Sequence, residues 1–246
     1  CALSHRWISL RLRLESARRC HSVPLLCGDS MDFKTRKIPV DPIDLKIYRL
    51  LENPKFLGWF GSSKVTDRNG LPMVMYHGTS ADITEFDLSR AGRNFDGKWN
   101  WGLFFTNNNI HKSTETKMPG GGHKVLHDVA SATYFAKVAS EGRVSADNGG
   151  VSFSGVNIVP AYISLQNPYI VSGTGRDTVV EYFDKRSEQL RYAVEEGGHD
   201  GLIIRDFVQM IGEEPETLVV AMRPGQIKSA IGNCGSYNAE TPRIDA

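Results

Sequence analysis

The residues best suited to chemistry lie in the segment His77-Gly78-Thr79, directly after the apolar run 72–76. That run predicts a short buried strand that delivers His77 at its end. An imidazole can exchange hydrogen bonds with a ligand hydroxyl, and a glycine lets the backbone approach a ligand closely. Thr79 adds a hydroxyl beside them. Because a histidine at a strand end is more often structural, this segment alone leaves both a binding role and a structural role open.

Two other patterns give little support to a metal or nucleotide site. His123 and His127 are four residues apart, as on a metal-binding helix edge, but no cysteine or acidic cluster supplies further ligands. The segment 92–99 approaches a phosphate-binding loop, yet Trp99 stands where a Ser or Thr would hold magnesium. The sequence therefore predicts two solvated loop histidines and no bound metal.

Length and charge restrict the class of protein. The chain has 246 residues, enough for one domain with additional segments. It is 40% hydrophobic and 23% charged, a balance typical of soluble globular proteins, and no apolar stretch reaches the ~18 residues of a membrane span. Lys and Arg number 29 against 28 Asp and Glu. This balance argues against bulk electrostatic binding to nucleic acid or to a membrane.

The segment 1–30 differs from the remainder of the chain. It holds five arginines against two acidic residues, and three of the four cysteines. It has no periodic apolar face, so we predict that it lies outside the fold, as a targeting arm or as an upstream segment. The predicted domain is therefore 31–246. Its single cysteine, Cys234, cannot close an internal disulfide, which is compatible with a reducing compartment such as a cytoplasm.

Apolar periodicity predicts the elements that position these residues. Short apolar runs predict strands at 72–76, 103–106, 156–165, 201–205 and 218–222. Helical spacing predicts a helix that begins at Asp41-Pro42 and ends at Asn53-Pro54, and two more around 132–139 and 180–194. The stretch 107–127 is predicted to be a polar loop. Because strands and helices do not alternate regularly, the pattern favours an α+β fold with a mainly antiparallel sheet.

Ordered sequence blocks carry a resemblance to a known family. They are 59–79 (WFGSSKVTDRNGLPMVMYHGT), 86–87 (FD), 102–106 (GLFFT), 134–136 (YFA), 160–168 (PAYISLQNP), 198–203 (GHDGLI) and 224–230 (PGQIKSA). In this order they resemble the ADP-ribosyltransferase domains of phage and mobile-element polyvalent proteins, over about residues 43–242. Those domains are similar to the diphtheria-toxin and poly(ADP-ribose) polymerase branch, with its His-Tyr-Glu pattern. The resemblance implies an α+β split β-sandwich with flanking helices.

The resemblance also implies an activity and its residues. The enzyme would cleave the nicotinamide–ribose bond of NAD+, its substrate, without a metal, and transfer ADP-ribose to a protein. His77 would bond a ribose hydroxyl, the Gly78 backbone would clamp the nicotinamide amide, and Tyr134 would stack on the ring. Thr79 would support the loop. The partners implied are NAD+ and a protein acceptor rather than nucleic acid or membrane, as for a bacterial or phage effector acting in a cytoplasm.

The sequence departs from the family pattern at two positions. Phe104 stands in place of a tyrosine; its ring can still pack against nicotinamide, but the hydroxyl is lost. Leu218, eight residues before Gln226, stands where the catalytic glutamate is expected. Glu216, two residues earlier, lies on the same face of the strand as Leu218. It would act as the catalytic glutamate if the strand start is bulged or shifted. The alternative is that the acids at 213, 214 and 216 form a solvated turn.

These departures leave two alternatives to a transferase. One is a catalytically impaired, ADP-ribosyltransferase-like binding module. The other is an NAD+ glycohydrolase, in which water is the acceptor and the same glycosidic bond breaks. A carboxylate that faces the ring-binding cleft near His77 favours an enzyme, whereas an apolar wall there favours the module.

Overall fold

A computed structural model describes most of the unit Ile47–Ala246. The described residues are 47, 49–92, 100–108, 132, 133, 135, 136, 139, 157–175, 177–207 and 215–246, with the backbone alone at 113–117, 123–127 and 179–180. The predicted N-terminal segment 1–30 lies outside them, as do Tyr134, Glu213 and Glu214.

Two helices and nine strands build the described fold. The helices are α1 (Pro54–Phe60) and α2 (Val179–Glu196), and residues 47, 49–51, 132, 133, 135, 136 and 139 are also helical. The strands are β1 (Met75–Thr79), β2 (Leu103–Thr106), β3 (Ser113–Lys117), β4 (His123–His127), β5 (Asn157–Ile163), β6 (Tyr169–Ser172), β7 (Gly201–Phe207), β8 (Glu216–Ala221) and β9 (Ile227–Ser229).

Seven strands form one sheet in the order β6-β7-β8-β2-β1-β5-β9, in which only β6 and β7 run parallel. The central strands β1 and β2 meet at a single register pair, Tyr76 opposite Thr106. The sheet is therefore divided there into two halves. This arrangement confirms the predicted α+β class and is consistent with the split β-sandwich.

Three apolar clusters hold the halves and helices together. The central cluster takes side chains from both halves of the sheet, including Met75 and Ala161 from one and Phe105 and Val219 from the other. The second cluster, here the α2 cluster, lies on the other face of β2, β7 and β8 and includes Phe183. The third packs α1 against β5. The helices therefore flank the two halves, and the shared core lies on the face away from them.

Helix α2 follows its predicted periodicity. Phe183, Leu190 and Val194 are all buried on one face. The helix begins with a capping box, in which Thr178 accepts from the Glu181 N–H and the Glu181 carboxylate accepts from the Thr178 N–H. Both the apolar face and the cap are local signals, which is why the sequence locates this helix.

The predicted helix end at Asn53-Pro54 agrees with the helical residues 47 and 49–51, but helix α1, which begins directly after it, was not predicted. The Asn53 side chain accepts hydrogen bonds from the N–H groups of Lys55 and Phe56, and Pro54 takes the first helical position. Asn and Pro at these positions favour a helix start. Phe56 and Phe60 are fully buried below it.

The stretch 107–127 is not a continuous loop, as the sequence had indicated. β3 and β4 pair antiparallel, with Ser113 opposite His127 and Lys117 opposite His123. The two histidines thus lie at the ends of one strand, and their spacing is not helical. Over the described part of the chain, neither helix has the length and apolar character needed to cross a membrane.

Candidate functional site

His77 lies in the middle of a strand, not at its end as predicted. β1 continues to Thr79 because β5 pairs with it along its whole length, from Met75 opposite Ala161 to Thr79 opposite Asn157. On its other side, β1 pairs with β2 only at Tyr76. A gap between the two halves of the sheet therefore begins beside His77 and Gly78.

The peptide groups of Gly78 face this gap. The carbonyl of Pro160 accepts from the Ala230 N–H at 2.9 Å, so the backbone of Pro160 points to β9. Tyr76 is the register partner of Pro160, so its own peptide groups point away from β5 and towards β2. Peptide groups two residues apart in a strand point the same way, so those of Gly78 also point towards β2. Continuing the β1–β2 register would bring Gly78 opposite Phe104, but the ladder ends before that pair.

The ring of His77 binds a carbonyl of β2 that would face Gly78 if the β1–β2 ladder continued. Its Nδ1 lies 2.8 Å from the Phe104 carbonyl oxygen. Because a carbonyl only accepts, Nδ1 carries the hydrogen, and Nε2 of the neutral ring is an acceptor. The ring packs edge-on against Phe86, at 5.1 Å between centroids, and at a tilt against Phe105, at 5.3 Å. These contacts fix both the orientation and the tautomer of the imidazole.

Burial lowers the pKa of His77, and the hydrogen bond to Phe104 partly opposes that shift. The folded protein therefore resists protonation of a ring that ordinarily titrates near 6.5. As the pH falls below that value, the unfolded chain takes up a proton that the folded chain does not. The contribution of His77 to stability is complete above pH 6.5 and declines as the pH drops.

We expect His77→Gln to weaken the acid sensitivity of the fold. Between about pH 7.5 and about pH 5.5, the wild-type free energy of unfolding should fall more steeply than that of the variant, because only the wild type carries this buried imidazole. Urea unfolding at both pH values measures the difference. His199→Gln is the matched control, since the His199 ring also meets a backbone carbonyl, at Asn167, but in an exposed loop. Equal pH dependence of wild type and His77→Gln would contradict the prediction.

Gly78 has a packing role as well. A Cβ added there would overlap the carbonyl oxygen of Ala132 and lie 2.7 Å from the Ala136 nitrogen. The helical segment around Ala132 therefore rests directly on the glycine. The sequence suggested that Gly78 is present for a ligand; the structure shows that helix packing alone already requires a glycine, while the peptide groups remain directed to the gap.

Thr79 shapes the turn that follows β1. Its hydroxyl oxygen accepts from the Ala81 N–H at 3.1 Å. Asn157, its register partner on β5, donates from Nδ2 to the Ala81 carbonyl at 3.1 Å. The two side chains together hold the backbone directly after His77 and Gly78.

Phe104 contributes its main chain and its ring to different places. Its carbonyl binds His77, whereas its ring packs edge-on against Phe183 of α2, at 5.0 Å, and lies 6.3 Å from the Trp101 ring. The ring therefore belongs to the α2 cluster, on the face opposite to the His77 ring. Tyr134, the predicted stacking residue, lies outside the described residues.

Glu216 is the first residue of β8 and is only 7% exposed. It lies opposite Phe207, where the β7–β8 register shifts between Ile204 and Phe207, and Asp206 in this bulge has φ of 53°. The Asn108 side chain donates from Nδ2 to Glu216 Oε1 at 2.7 Å. Glu216 is thus a buried, hydrogen-bonded carboxylate and not part of a solvated turn.

Because side chains alternate along β8, the face of the sheet on which the Glu216 carboxylate lies can be identified. Leu218 belongs to the α2 cluster and Val219 to the central cluster. Glu216 shares the face of Leu218, whereas the His77 ring packs on the face of Phe105. The His77 ring, predicted to bond the ribose, and the Glu216 carboxylate, predicted to be catalytic, are therefore on opposite faces of the sheet.

A short series of contacts nevertheless links Glu216 to Gly78. The Ala132 N–H donates to the Asn108 carbonyl at 2.9 Å, and Asn108 in turn binds Glu216. Ala132 is also the residue that rests on Gly78. The face of Gly78 against which Ala132 packs, Ala132 itself and the Glu216 carboxylate thus lie on the same side of the sheet.

Asn108 was not identified from the sequence. The only local signal is the run Asn107-Asn108-Asn109 directly after β2. Among the described side chains, no group of three His, Cys, Asp or Glu residues gathers where a metal ion could bind.

Comparison with known proteins gives one match. Residues 67–116 match the family model ART-PolyVal, described as ADP-Ribosyltransferase in polyvalent proteins. Neither the curated proteins nor the solved structures give a match. The matched segment contains β1, with His77 and Gly78, and β2, with Phe104. The resemblance indicated by the ordered sequence blocks is thereby confirmed: over residues 67–116 the chain is similar to the ADP-ribosyltransferase domains of polyvalent proteins.

Proposed function

We propose that the protein is an NAD+-dependent mono-ADP-ribosyltransferase that cleaves the nicotinamide–ribose bond and modifies a protein. The observation that carries this proposal is the gap between β1 and β2. There the ladder ends at Tyr76, the peptide groups of Gly78 face β2, and the His77 ring is fixed by the Phe104 carbonyl. The family match over 67–116 covers all of these residues.

The gap offers the groups that a nicotinamide amide needs. A primary amide presents one carbonyl and one NH2, and a strand edge presents an N–H and a C=O that complement them. Gly78 supplies both without a side chain in the way. The neutral His77 ring offers Nε2 as an acceptor for a ribose hydroxyl. We propose that NAD+ binds here, with its nicotinamide at Gly78.

The carboxylate of Glu216 would act on the sugar from the face of the sheet opposite to the His77 ring, where β1 and β2 separate. When the bond between C1′ of the ribose and the nicotinamide nitrogen breaks, nicotinamide leaves as a neutral molecule and positive charge develops on the ribose. A fixed, nearly buried carboxylate stabilises such charge strongly because little water screens it. A nucleophilic side chain of the acceptor protein then bonds to C1′ and loses its proton. The chain of contacts from Gly78 through Ala132 and Asn108 supports this role for Glu216.

A binding module with little turnover is the second candidate, and one observation favours it. The Glu216 carboxylate and the His77 ring lie on opposite faces of the sheet, so this carboxylate does not lie beside the ring that would hold the ribose. A site of this kind could bind NAD+ without catalysing the departure of nicotinamide. The two candidates share NAD+ binding and differ in the release of nicotinamide.

The proposal is tested with labelled NAD+ and host lysate. A transferase yields labelled protein and free nicotinamide; a glycohydrolase yields nicotinamide and free ADP-ribose without labelled protein; a binding module yields neither product. Binding measured without lysate separates the last outcome from a protein that does not recognise NAD+ at all.

We expect His77→Ala to abolish NAD+ binding measured by calorimetry. The substitution removes the ring that holds the Phe104 carbonyl and the acceptor for the ribose hydroxyl. His199→Ala, which removes an imidazole from an exposed loop, should bind as the wild type does. Thermal unfolding of both variants separates lost binding from a lost fold. Unchanged affinity in a folded His77→Ala protein would remove His77 from the site.

A further inference from the structure

Asn108 is a junction between three parts of the fold. Its side chain donates to Glu216 Oε1 at 2.7 Å, its carbonyl accepts from the Ala132 N–H at 2.9 Å, and its own N–H donates to Thr106 Oγ1 at 3.2 Å. One residue therefore joins the end of β2, the helical residue Ala132 that rests on Gly78, and the buried carboxylate.

The β2–β8 ladder continues past its last strand pair and holds Asn108 in place. The Asn107 N–H donates to the Thr217 carbonyl at 3.1 Å, and the Thr217 N–H donates to Asn107 Oδ1 at 2.8 Å. These bonds extend the register in which Thr106 lies opposite Leu218. They bring Asn108 beside Glu216, because each of the two residues is next in the chain to a residue that these bonds hold.

The chemistry of this pair fits orientation and not proton transfer. An amide neither gains nor loses a proton at physiological pH, so Asn108 cannot act as an acid or a base. Its N–H makes a charge-assisted bond to a carboxylate that is 7% exposed, a setting in which such bonds are short and strong. The bond holds Oε1 and thereby sets the plane of the carboxylate.

We propose that Asn108 is a positioning residue that orients the Glu216 carboxylate for cleavage of the nicotinamide–ribose bond. The inference rests on the proposed function and adds to it the group that aims the carboxylate. Because Asn108 acts through Glu216, its removal should affect the bond-breaking step and not the binding of NAD+ at Gly78.

The first test is Asn108→Ala, measured as nicotinamide release over a range of NAD+ concentrations. We expect kcat to fall about 10- to 100-fold, the effect of losing one charge-assisted hydrogen bond, with KM nearly unchanged. Asn238→Ala is the matched control, because the Asn238 side chain accepts from the Glu240 N–H in an exposed turn. Asn108→Asp keeps the size of the side chain but replaces the donor with a second carboxylate, so its kcat should fall at least as much.

A double variant separates positioning from a merely structural role. If Asn108 acts through Glu216, adding Asn108→Ala to Glu216→Gln should cause little further loss of kcat. A structural role would lower the activity of both backgrounds by the same factor. Thermal unfolding of every variant checks that the compared proteins are folded, and Asn108→Asp takes the place of Asn108→Ala if the latter does not fold.

The outcomes separate a failure of the proposed activity from a failure of the proposed role of Asn108. A wild-type protein that binds NAD+ but releases no nicotinamide overturns the proposed activity together with the role of Asn108. An active wild type with unchanged kcat in Asn108→Ala overturns the role of Asn108 alone, and so does an equal loss in both backgrounds. A fall in kcat that disappears in the Glu216→Gln background supports the proposal.

Discussion

Replacing Glu216 by glutamine is expected to slow nicotinamide release by about 100- to 1,000-fold, the usual effect of removing one preorganised electrostatic group from an active site. NAD+ binding should change little, because Gly78 and His77 make the contacts proposed for the ground state. Glutamine keeps the shape of glutamate and an acceptor oxygen for the Asn108 amide. The substitution therefore removes the charge while the local hydrogen bond is retained.

Single-turnover release of nicotinamide and calorimetric binding of NAD+ measure the two effects separately. Glu240→Gln serves as the control, because it makes the same change at an exposed position of the C-terminal segment. A Glu216→Gln protein with full activity would show that another group stabilises the sugar. Loss of binding and activity together would instead place Glu216 in NAD+ recognition.

Local signals in the sequence were sufficient for several elements. The run Leu103–Thr106 forms β2 with the predicted bounds, and the spacing of Phe183, Leu190 and Val194 marks the buried face of α2. In both cases the residues that define the element are neighbours along the chain. Patterns of this kind do not depend on what the element later packs against.

Other elements depend on partners that are distant in the sequence. β1 ends at Thr79 and not at Tyr76 because β5, about eighty residues later, pairs with it over its full length. β3 and β4 pair with one another within a polar stretch that has little apolar periodicity. Asn53-Pro54 follows the helical residues 49–51, as predicted, and also begins α1, which is stabilised by the burial of Phe56 and Phe60.

The candidate site also combines residues that are neighbours in the sequence with residues that only strand pairing brings together. His77, Gly78 and Thr79 are adjacent in the sequence and adjacent in the site. The partner of Glu216 is Asn108, on another strand end, and only the register of β2 with β8 brings them together. The face of each side chain likewise follows from strand parity within the sheet. The sequence therefore identifies candidate groups, and the pairing of strands determines which of them can act together.

The last prediction concerns Leu218, the position at which the family resemblance expects a glutamate. Leu218 is 1% exposed and packs in the α2 cluster with Phe183 and Val220. A carboxylate introduced there has no partner among the apolar side chains of that cluster and must be buried unpaired or protonated. We expect Leu218→Glu to lose about 3–5 kcal/mol of folding free energy, the usual cost of an uncompensated buried charge, and to gain no nicotinamide release.

Denaturant unfolding followed by tryptophan fluorescence measures this loss, and one of the four tryptophans, Trp101, stacks on Phe183 at 5.7 Å close to the substitution. Leu218→Met is the control, because it nearly conserves volume and should cost less than about 1.5 kcal/mol. A stable Leu218→Glu protein that releases nicotinamide faster than the wild type would show that position 218 faces the bound sugar. Glu216 would then be a structural carboxylate held by Asn108, and the wild type would be the NAD+-binding module that has lost its catalytic group.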